Sequence, residues 1–132
     1  MSLTETDPFD IARAEVMLRG YDARWGAEPL TALAVEVEFR APLVNPATNA
    51  ASRTWALGGK LDAIVRDDAT GRVLVLEHKT TSGDASPGSE YMRRLRMDGQ
   101  ISIYMDGAVT LGHAPEACLY DVLVKPGERP CA

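Results

Sequence analysis

Two short apolar runs joined by a polar turn constrain the fold of this chain more than any other feature. The runs span residues 61–65 and 73–79, and Leu, Val and Ile dominate both. Between them, residues 67–72 contain Asp, Thr and Gly, which favour turns. Apolar runs rich in β-branched residues that flank such a turn are typical of strands, so the pattern predicts an antiparallel β-hairpin.

The register of this hairpin determines which charged side chains meet. We align Asp67 with Arg72 across the turn. Continued along the ladder, this register places Asp62 directly opposite Glu77, with Cβ atoms about 4.5–5.5 Å apart. Because side chains alternate along a strand, Lys79 shares the face of Glu77, about 6.5–7 Å away. Two carboxylates and an ammonium group are therefore predicted to converge.

A cross-strand pair of carboxylates is destabilising unless something compensates the repulsion. A divalent cation would do so, since Mg²⁺ in proteins binds through one or two carboxylates and keeps several waters. Lys79 could then orient or help deprotonate an attacking water, or stabilise the charge of a phosphorane. The alternative is a solvated strand face with an ordinary Glu77–Lys79 ion pair. Because Ile64, Val73 and Val75 are expected on the same face, we favour a partly buried site.

Three motifs follow one another around the hairpin. They are Gly58-Gly59-Lys60-Leu61-Asp62, Glu77-His78-Lys79 and Gln100-Ile101-Ser102-Ile103-Tyr104. Together they resemble the PD-(D/E)XK nuclease superfamily, in its RecB-type branch with a Q-x-x-x-Y motif, over residues 33–124. The resemblance implies a restriction-endonuclease-like α/β fold, in which helices flank a central mixed sheet. Its strands would be a three-strand antiparallel meander, then a helical crossover and a further strand.

The resemblance also implies a role for each matching residue. The implied metal ligands are Asp62, Glu77 and the backbone carbonyl of His78, with Mg²⁺ or Mn²⁺ as the metal. The implied catalytic set is Asp62, Glu77, Lys79, Gln100 and Tyr104. The implied activity is metal-dependent hydrolysis of DNA phosphodiesters, exonuclease-like, in recombination, repair or phage DNA processing. DNA is then the expected partner, bound by a homo-oligomer or by a larger recombination complex.

The sequence departs from these relatives at one metal ligand. Many relatives supply a further His or Glu from an upstream helix, and the chain before Leu33 contains no His. Four acidic residues are candidates, although a solvated surface is the simpler interpretation for each. They are Asp10, Glu15, Asp22 and Glu38. With fewer ligands we expect weak metal binding, so that this chain alone would be a weakly active or inactive nuclease.

The period of the apolar residues changes to that of a helix over residues 90–112. Gln100 and Tyr104 are four residues apart and so share one helical face. The basic residues of this helix, which we expect to contact the DNA backbone, are Arg93, Arg94 and Arg96. Without the upstream motifs, a core tyrosine and solvated arginines would be the simpler interpretation.

The remaining segments predict the elements around the hairpin. Asp7-Pro8 predicts the start of a helix that ends at Gly20 or Gly26 and packs across the sheet. Alternation over residues 33–40 predicts a strand, and after a loop at residues 45–50 the chain re-enters a strand at Trp55. Residues 80–89 have loop composition, and residues 117–124 predict a fourth strand, parallel to the third. His113 is expected to face solvent.

Composition bounds these interpretations. With 132 residues and 45% hydrophobic residues, the chain is expected to form one domain over residues 1–132, with residues 1–7 frayed. It is either a minimal domain or a piece of a longer protein. A formal charge of −5 is unusual for a dedicated nucleic-acid binder, although a local basic patch and a bound metal would compensate. No run reaches the ~18–20 apolar residues of a membrane span, and no signal peptide is visible, so we expect a cytoplasmic protein with reduced Cys118 and Cys131.

Two other function classes remain open at this point. A non-catalytic nucleic-acid or partner-binding module would keep the nuclease fold without metal-dependent turnover. A retaining glycosidase would place its two carboxyl groups about 5–5.5 Å apart, as Asp62 and Glu77 are expected to be. The nearby Lys79 and the absence of an aromatic sugar platform in the sequence disfavour the glycosidase.

Overall fold

Four strands form one mixed β-sheet at the centre of the protein. The computed structural model describes residues 7–127. Its elements in chain order are α1 (Pro8–Trp25), β1 (Leu30–Val44), β2 (Ala51–Asp67), β3 (Val73–Thr81), α2 (Glu90–Leu95), α3 (Gly99–Thr110) and β4 (Ala117–Val124). The strands lie in the sheet in the same order as in the chain. The predicted α/β architecture is confirmed.

The hairpin of β2 and β3 has the predicted register. Antiparallel pairing extends from the turn as far as Ala63 and Leu76. The turn closes where the backbone N–H of Asp67 donates to the carbonyl of Arg72, at 2.8 Å. Gly71 has a φ of 74°, a left-handed conformation that glycine adopts without steric cost. Local turn chemistry therefore fixes the alignment of the two strands.

The two outer strands complete the sheet in different ways. β1 pairs antiparallel with β2, which completes the predicted meander. After β3 the chain passes through α2 and α3, and β4 then pairs parallel with β3. Parallel neighbours need such a crossover because a short turn can only reverse the chain. The bounds of β4, Ala117–Val124, are those predicted.

The hydrophobic core lies between α3 and the sheet. Leu61, Ile64 and Val75 are fully buried, and residues of α3 pack against them. Gly107 allows α3 to approach closely, because a Cβ at this position would lie 2.6 Å from ring atoms of Phe39. This approach sets the distance between α3 and the sheet. It thereby also sets the position of the polar first turn of that helix.

Strand β1 differs from the predicted strand in length and burial. It spans Leu30–Val44 rather than residues 33–40. Its predicted apolar face is only partly buried, since Phe39 is buried whereas Val35 is 62% exposed. The pairing with β2 shifts register early in the strand, and Glu36 has a positive φ of 52°. These irregularities interrupt the simple alternation on which the prediction depended.

The single helix predicted over residues 90–112 is in fact two helices. α2 ends at Leu95 and α3 begins at Gly99. The side chain of Asp98 accepts a hydrogen bond from the backbone N–H of Gln100, at 2.9 Å, and so caps a new helix. An N-cap residue adopts a non-helical backbone, which is why the chain cannot run through this position as one helix. The loop before α2 is also shorter than predicted, because β3 continues to Thr81.

Helix α1 begins as predicted but packs less than predicted. The side chain of Asp7 accepts from the N–H of Phe9, and the C-cap is Gly26. None of its residues is buried, so the predicted packing across the sheet is limited to its C-terminal part, where Tyr21 reaches β4. Its large exposed apolar side chains are Phe9, Ile11, Val16, Leu18 and Trp25.

A few predictions concern single residues or the chain ends. Residues 1–6 of the segment that was predicted to be frayed lie outside the described residues, and so does Cys131. Cys118 is a free thiol, as expected. His113, which was expected to face solvent, is half-buried. Within residues 7–127, no helix is both long enough and apolar enough to cross a membrane.

Candidate active site

Asp62 occupies the position where the backbone pairing of β2 and β3 ends. The last paired residues are Ala63 and Leu76. One position further, the Oδ2 atom of Asp62 accepts a hydrogen bond from the backbone N–H of His78, at 2.9 Å. A side-chain carboxylate thus continues the ladder in place of a backbone carbonyl. This bond holds Asp62 beside the peptide that joins Glu77 to His78.

Glu77 is a buried carboxylate whose loss of hydration is only partly compensated by contacts with other residues. Its exposed fraction is only 6%, and its Oε1 lies 3.2 Å from Nζ of Lys79. Its other oxygen, Oε2, is buried and accepts no hydrogen bond from the residues that the structure describes. Burial raises the pKa of Glu77, and the negative charge of Asp62 adds to this, although Lys79 opposes it. Buried carboxylate oxygens are normally paired, so this atom requires an explanation.

Lys79 connects the acidic pair to α3. Its Nζ donates to Oε1 of Gln100 at 2.8 Å, and Nε2 of Gln100 donates to the hydroxyl of Tyr104 at 2.9 Å. Burial lowers the pKa of Lys79, but its hydrogen bond to Glu77 and the charge of that residue outweigh this, and the net pKa is raised. The structure thus brings together the five residues predicted as a catalytic set, Asp62, Glu77, Lys79, Gln100 and Tyr104.

The first turn of α3 is held by contacts that position Gln100 and Tyr104. Asp98 caps the helix through the N–H of Gln100. The ring of Tyr104 meets that of Phe39 edge to face, with centroids 6.1 Å apart and planes at 86°. A Cβ at Gly59 would lie 3.2 Å from the Tyr104 ring, so glycine leaves room for it. Burial raises the pKa of the Tyr104 hydroxyl, with smaller contributions from nearby carboxylates.

The side chain of His78 makes a second set of contacts. Its Nδ1 lies 2.9 Å from Oδ2 of Asp121 on β4. The hydroxyl of Tyr21 on α1 donates to the same oxygen at 2.6 Å. This bond to Asp121, together with burial, raises the pKa of Tyr21 to about 12. The backbone of His78 therefore contacts Asp62 while its ring contacts β4.

The family of this chain follows from a comparison with known proteins. The sequence profile of the PD-(D/E)XK nuclease superfamily matches residues 4–128. The chain belongs to this superfamily. Its curled mixed sheet with flanking helices agrees with the restriction-endonuclease-like fold of these nucleases.

Two further comparisons concern individual proteins. The crystal structure of SSO0001 matches with a TM-score of 0.41 and 21% sequence identity, over 88% of this chain and 48% of the other. The present chain thus spans about half of the length of that protein. No curated protein shows significant similarity to this sequence.

PD-(D/E)XK nucleases generally use divalent metals, and the two acids of this chain fit such an ion. Within residues 7–127, no group of three or more His, Cys, Asp or Glu side chains is arranged to hold a metal. Asp62 and Glu77 nevertheless lie close together, and Oε2 of Glu77 is a buried acceptor without a partner in the part of the chain that the structure describes. Mg²⁺ commonly binds through one or two carboxylates and completes its shell with waters. The donor set therefore fits a hard cation that keeps several waters.

The other candidate ligands lie elsewhere on the surface. Asp10 and Asp22 are exposed on α1, and Glu15 pairs with Arg19 at 2.5 Å. Glu38 is exposed and pairs in the sheet with Lys60. Among the described residues, no hydrogen bond or ion pair joins any of the four to Asp62 or Glu77. The role of Glu38 as an outer ligand stays a prediction.

The basic cluster, Arg93, Arg94 and Arg96, is exposed as predicted. Arg94 pairs with Glu90 one helical turn away, at 2.5 Å. α2, which carries this cluster, is attached to β4 where the hydroxyl of Tyr120 donates to the carbonyl of Leu95, at 3.3 Å. The arginines thus precede Asp98, the cap of α3, by only a few residues.

Sequence reasoning missed two residues that contact the site, Asp98 and Asp121. Asp98 directly precedes Gly99, Gln100 and the apolar residues of α3, which is a recognisable N-cap signal. Asp121 is the only charged residue of β4, and a lone acid in an apolar strand indicates a buried partner. The partner of Tyr21, Asp121, could not be predicted from the sequence, because the contact joins positions 100 residues apart.

Proposed function

We propose that this protein hydrolyses DNA phosphodiester bonds with Mg²⁺ or Mn²⁺ as cofactor. One observation carries the proposal: the buried, unpartnered Oε2 of Glu77 beside a second carboxylate and a lysine. A structural ion pair would need only one acid for Lys79. The second acid, and an oxygen that has no partner among residues 7–127, are better explained by a site for a cation.

Each residue would have a separate task in this site. Asp62, Glu77 and the backbone carbonyl of His78 would hold the metal, whose chemistry is to lower the pKa of a bound water and to stabilise negative charge. Lys79 would orient the attacking water and stabilise charge on the phosphorane. Its ammonium group is already held on two sides, by Glu77 and by Gln100. Such restraint lowers the entropic cost of ordering the ammonium group during the reaction.

Gln100 and Tyr104 would act as supports for the lysine. Gln100 accepts from Lys79 through one atom of its amide and donates to Tyr104 through the other. The orientation of the amide is thereby fixed, so Lys79 always meets an acceptor. Tyr104 in turn packs against Phe39.

Substrate contact would come from the exposed basic cluster before α3. Arg93, Arg94 and Arg96 carry the positive charge that phosphate binding requires and that the acidic chain as a whole lacks. The resemblance of the motifs to the RecB-type branch further supports an exonuclease-like role in recombination, repair or phage DNA processing. These finer attributes rest on the motifs.

Cleavage assays test the proposal directly. End-labelled linear duplex and single-stranded DNA, with closed circular DNA as a substrate without ends, would be incubated with Mg²⁺, with Mn²⁺ or with EDTA. We expect metal-dependent cleavage of linear DNA by the native sequence, and none by Asp62→Ala. Asp106→Ala, which removes an exposed carboxylate of α3, is the matched control and should cleave normally.

Each outcome of these assays decides one part of the proposal. Normal cleavage by Asp62→Ala would remove the metal site from the mechanism. Equal cutting of closed circles would overturn the exonuclease assignment and leave the hydrolysis intact. DNA binding without any turnover would favour the competing function, a non-catalytic module. The presence of only two acids in the described site is the observation that favours that alternative.

A further inference from the structure

Asp121 is an unusual residue for its position in the sheet. It lies in β4, whose other residues are Ala, Cys, Leu, Tyr and Val, and its side chain is only 17% exposed. A largely buried carboxylate loses hydration and needs hydrogen-bond partners in exchange. Its Oδ2 accepts from the hydroxyl of Tyr21 and lies 2.9 Å from the His78 ring. An aliphatic residue would suit an apolar strand better, so this acid has a specific task.

The residue that Asp121 contacts lies between two residues of the site. His78 separates Glu77 from Lys79 on β3, and it is the direct neighbour of Asp121 in the parallel ladder. The backbone N–H of His78 donates to Oδ2 of Asp62, at 2.9 Å. A rotation of the His78 peptide would therefore shift the hydrogen bond that orients Asp62. The ring contact with Asp121 restrains this rotation from the opposite side of the residue.

We propose that Asp121 is a positioning residue for the candidate metal site. Through its contact with the ring of His78, Asp121 holds the orientation of Asp62. The inference rests on the proposed function, since it concerns the same site. It assigns Asp121 no contact with substrate or metal. Partners that hold metal-ligating carboxylates commonly change metal affinity by about 10–100-fold when removed.

The contact with Tyr21 makes it possible to test the proposed positioning role of Asp121 separately from its role in attaching α1 to the sheet. Among residues 7–127, this bond is the only hydrogen bond between a side chain of α1 and the sheet. Asp121 therefore has two contacts, one to His78 beside the site and one to a helix remote from it. Tyr21→Phe removes the second contact and keeps the first.

Mn²⁺ binding, measured by calorimetry and by electron paramagnetic resonance, tests the inference without relying on activity. We expect Asp121→Ala and His78→Ala each to raise the Kd for Mn²⁺ about tenfold. The double variant should raise it no further, because both changes remove one interaction. Asp121→Asn retains an oxygen acceptor and should restore an affinity within about twofold of the native sequence. Tyr21→Phe should also bind Mn²⁺ normally, although it unfolds more easily.

The possible results separate the two proposals. If the native sequence binds no Mn²⁺, the metal site and the proposed function are overturned together with this inference. If it binds Mn²⁺ and Asp121→Ala or His78→Ala binds equally well, only the positioning role is overturned. Additive effects of the two changes would also overturn it, because Asp121 would then act independently of His78. Should Asp121→Ala fail to fold, the result for His78→Ala alone decides whether the positioning role holds. An unchanged Kd for Mn²⁺ in this variant would overturn it.

Discussion

The two helical sides of this protein differ in how closely they are packed. α3 lies against the sheet with Phe39, Ala108 and the fully buried residues of β2 and β3, and a glycine is needed for its close approach. α1 has no buried residue and leaves several large apolar side chains exposed. The candidate catalytic residues all lie on β2, β3 and α3. The residues that we propose for the chemistry, which needs fixed distances, thus lie on the closely packed elements.

Loss of the lysine should produce the largest effect, and it should leave the packing on both sides unchanged. Lys79→Ala removes the ammonium group that contacts Glu77 and Gln100. Loss of one group that stabilises transition-state charge typically lowers kcat by about 10²–10³-fold. We expect at least this loss in DNA cleavage, together with a lower thermal stability, because the buried Glu77 loses its ion-pair partner. Lys125→Ala, at an exposed position, is the control and should cleave normally. Equal losses in both variants would point to general DNA binding instead.

Two glycine substitutions compare the packing of the two sides directly. Gly107→Ala would place a Cβ 2.6 Å from the Phe39 ring, and overpacking of this kind costs about 1–3 kcal/mol of unfolding free energy. Gly20→Ala on α1 meets no atom within 4 Å. It should stabilise the protein by up to about 1 kcal/mol, as expected for alanine in an exposed helix. Urea unfolding measures both. A loss of stability in Gly20→Ala comparable to that in Gly107→Ala would show that α1 is packed as closely as α3.

The cap of α3 should affect both stability and activity. Asp98→Ala leaves the N–H of Gln100 without its acceptor, and N-cap losses cost about 1 kcal/mol. Because Gln100 holds Lys79, cleavage should fall by more than this loss of stability explains. Asp98→Asn can still cap the helix and should retain most of both properties. Full activity in Asp98→Ala would show that the first turn of α3 is held by packing alone.

The smallest expected effect concerns the pH dependence of stability without metal. The folded-state pKa of Glu77 lies above its ordinary value of 4.5, so over this interval the folded protein retains a proton that the unfolded chain has released. Raising the pH from 4.5 through the folded-state pKa should therefore reduce the free energy of unfolding. Glu77→Gln should lack this component. Chemical unfolding of the native sequence and of Glu77→Gln across this pH range isolates the contribution of Glu77. If the free energy of unfolding of both proteins varied with pH in the same way, the burial argument would be contradicted.

The central hairpin and its polar residues could be predicted from the sequence because their causes are local. A turn containing Asp67 and Gly71 and the alternation of adjacent runs set the register, which then brought Asp62 and Glu77 together. Asp7-Pro8 likewise marked the start of α1, since capping depends on neighbouring residues. Three motifs in order also indicated the PD-(D/E)XK superfamily, which the match over residues 4–128 bears out, whereas the RecB-type branch stays a prediction.

Tertiary structure decided the features that depend on distant parts of the chain. The burial of Glu77 depends on the elements packed around β3, and the contact of Tyr21 with Asp121 joins α1 to the last strand. Helical periodicity identifies an apolar face, but whether that face is covered depends on the elements it meets, which is why the exposure of α1 was not predicted. Local sequence thus determined the strands and the acids that face one another. Long-range packing determined which of these groups lost their water and which residues hold them in place.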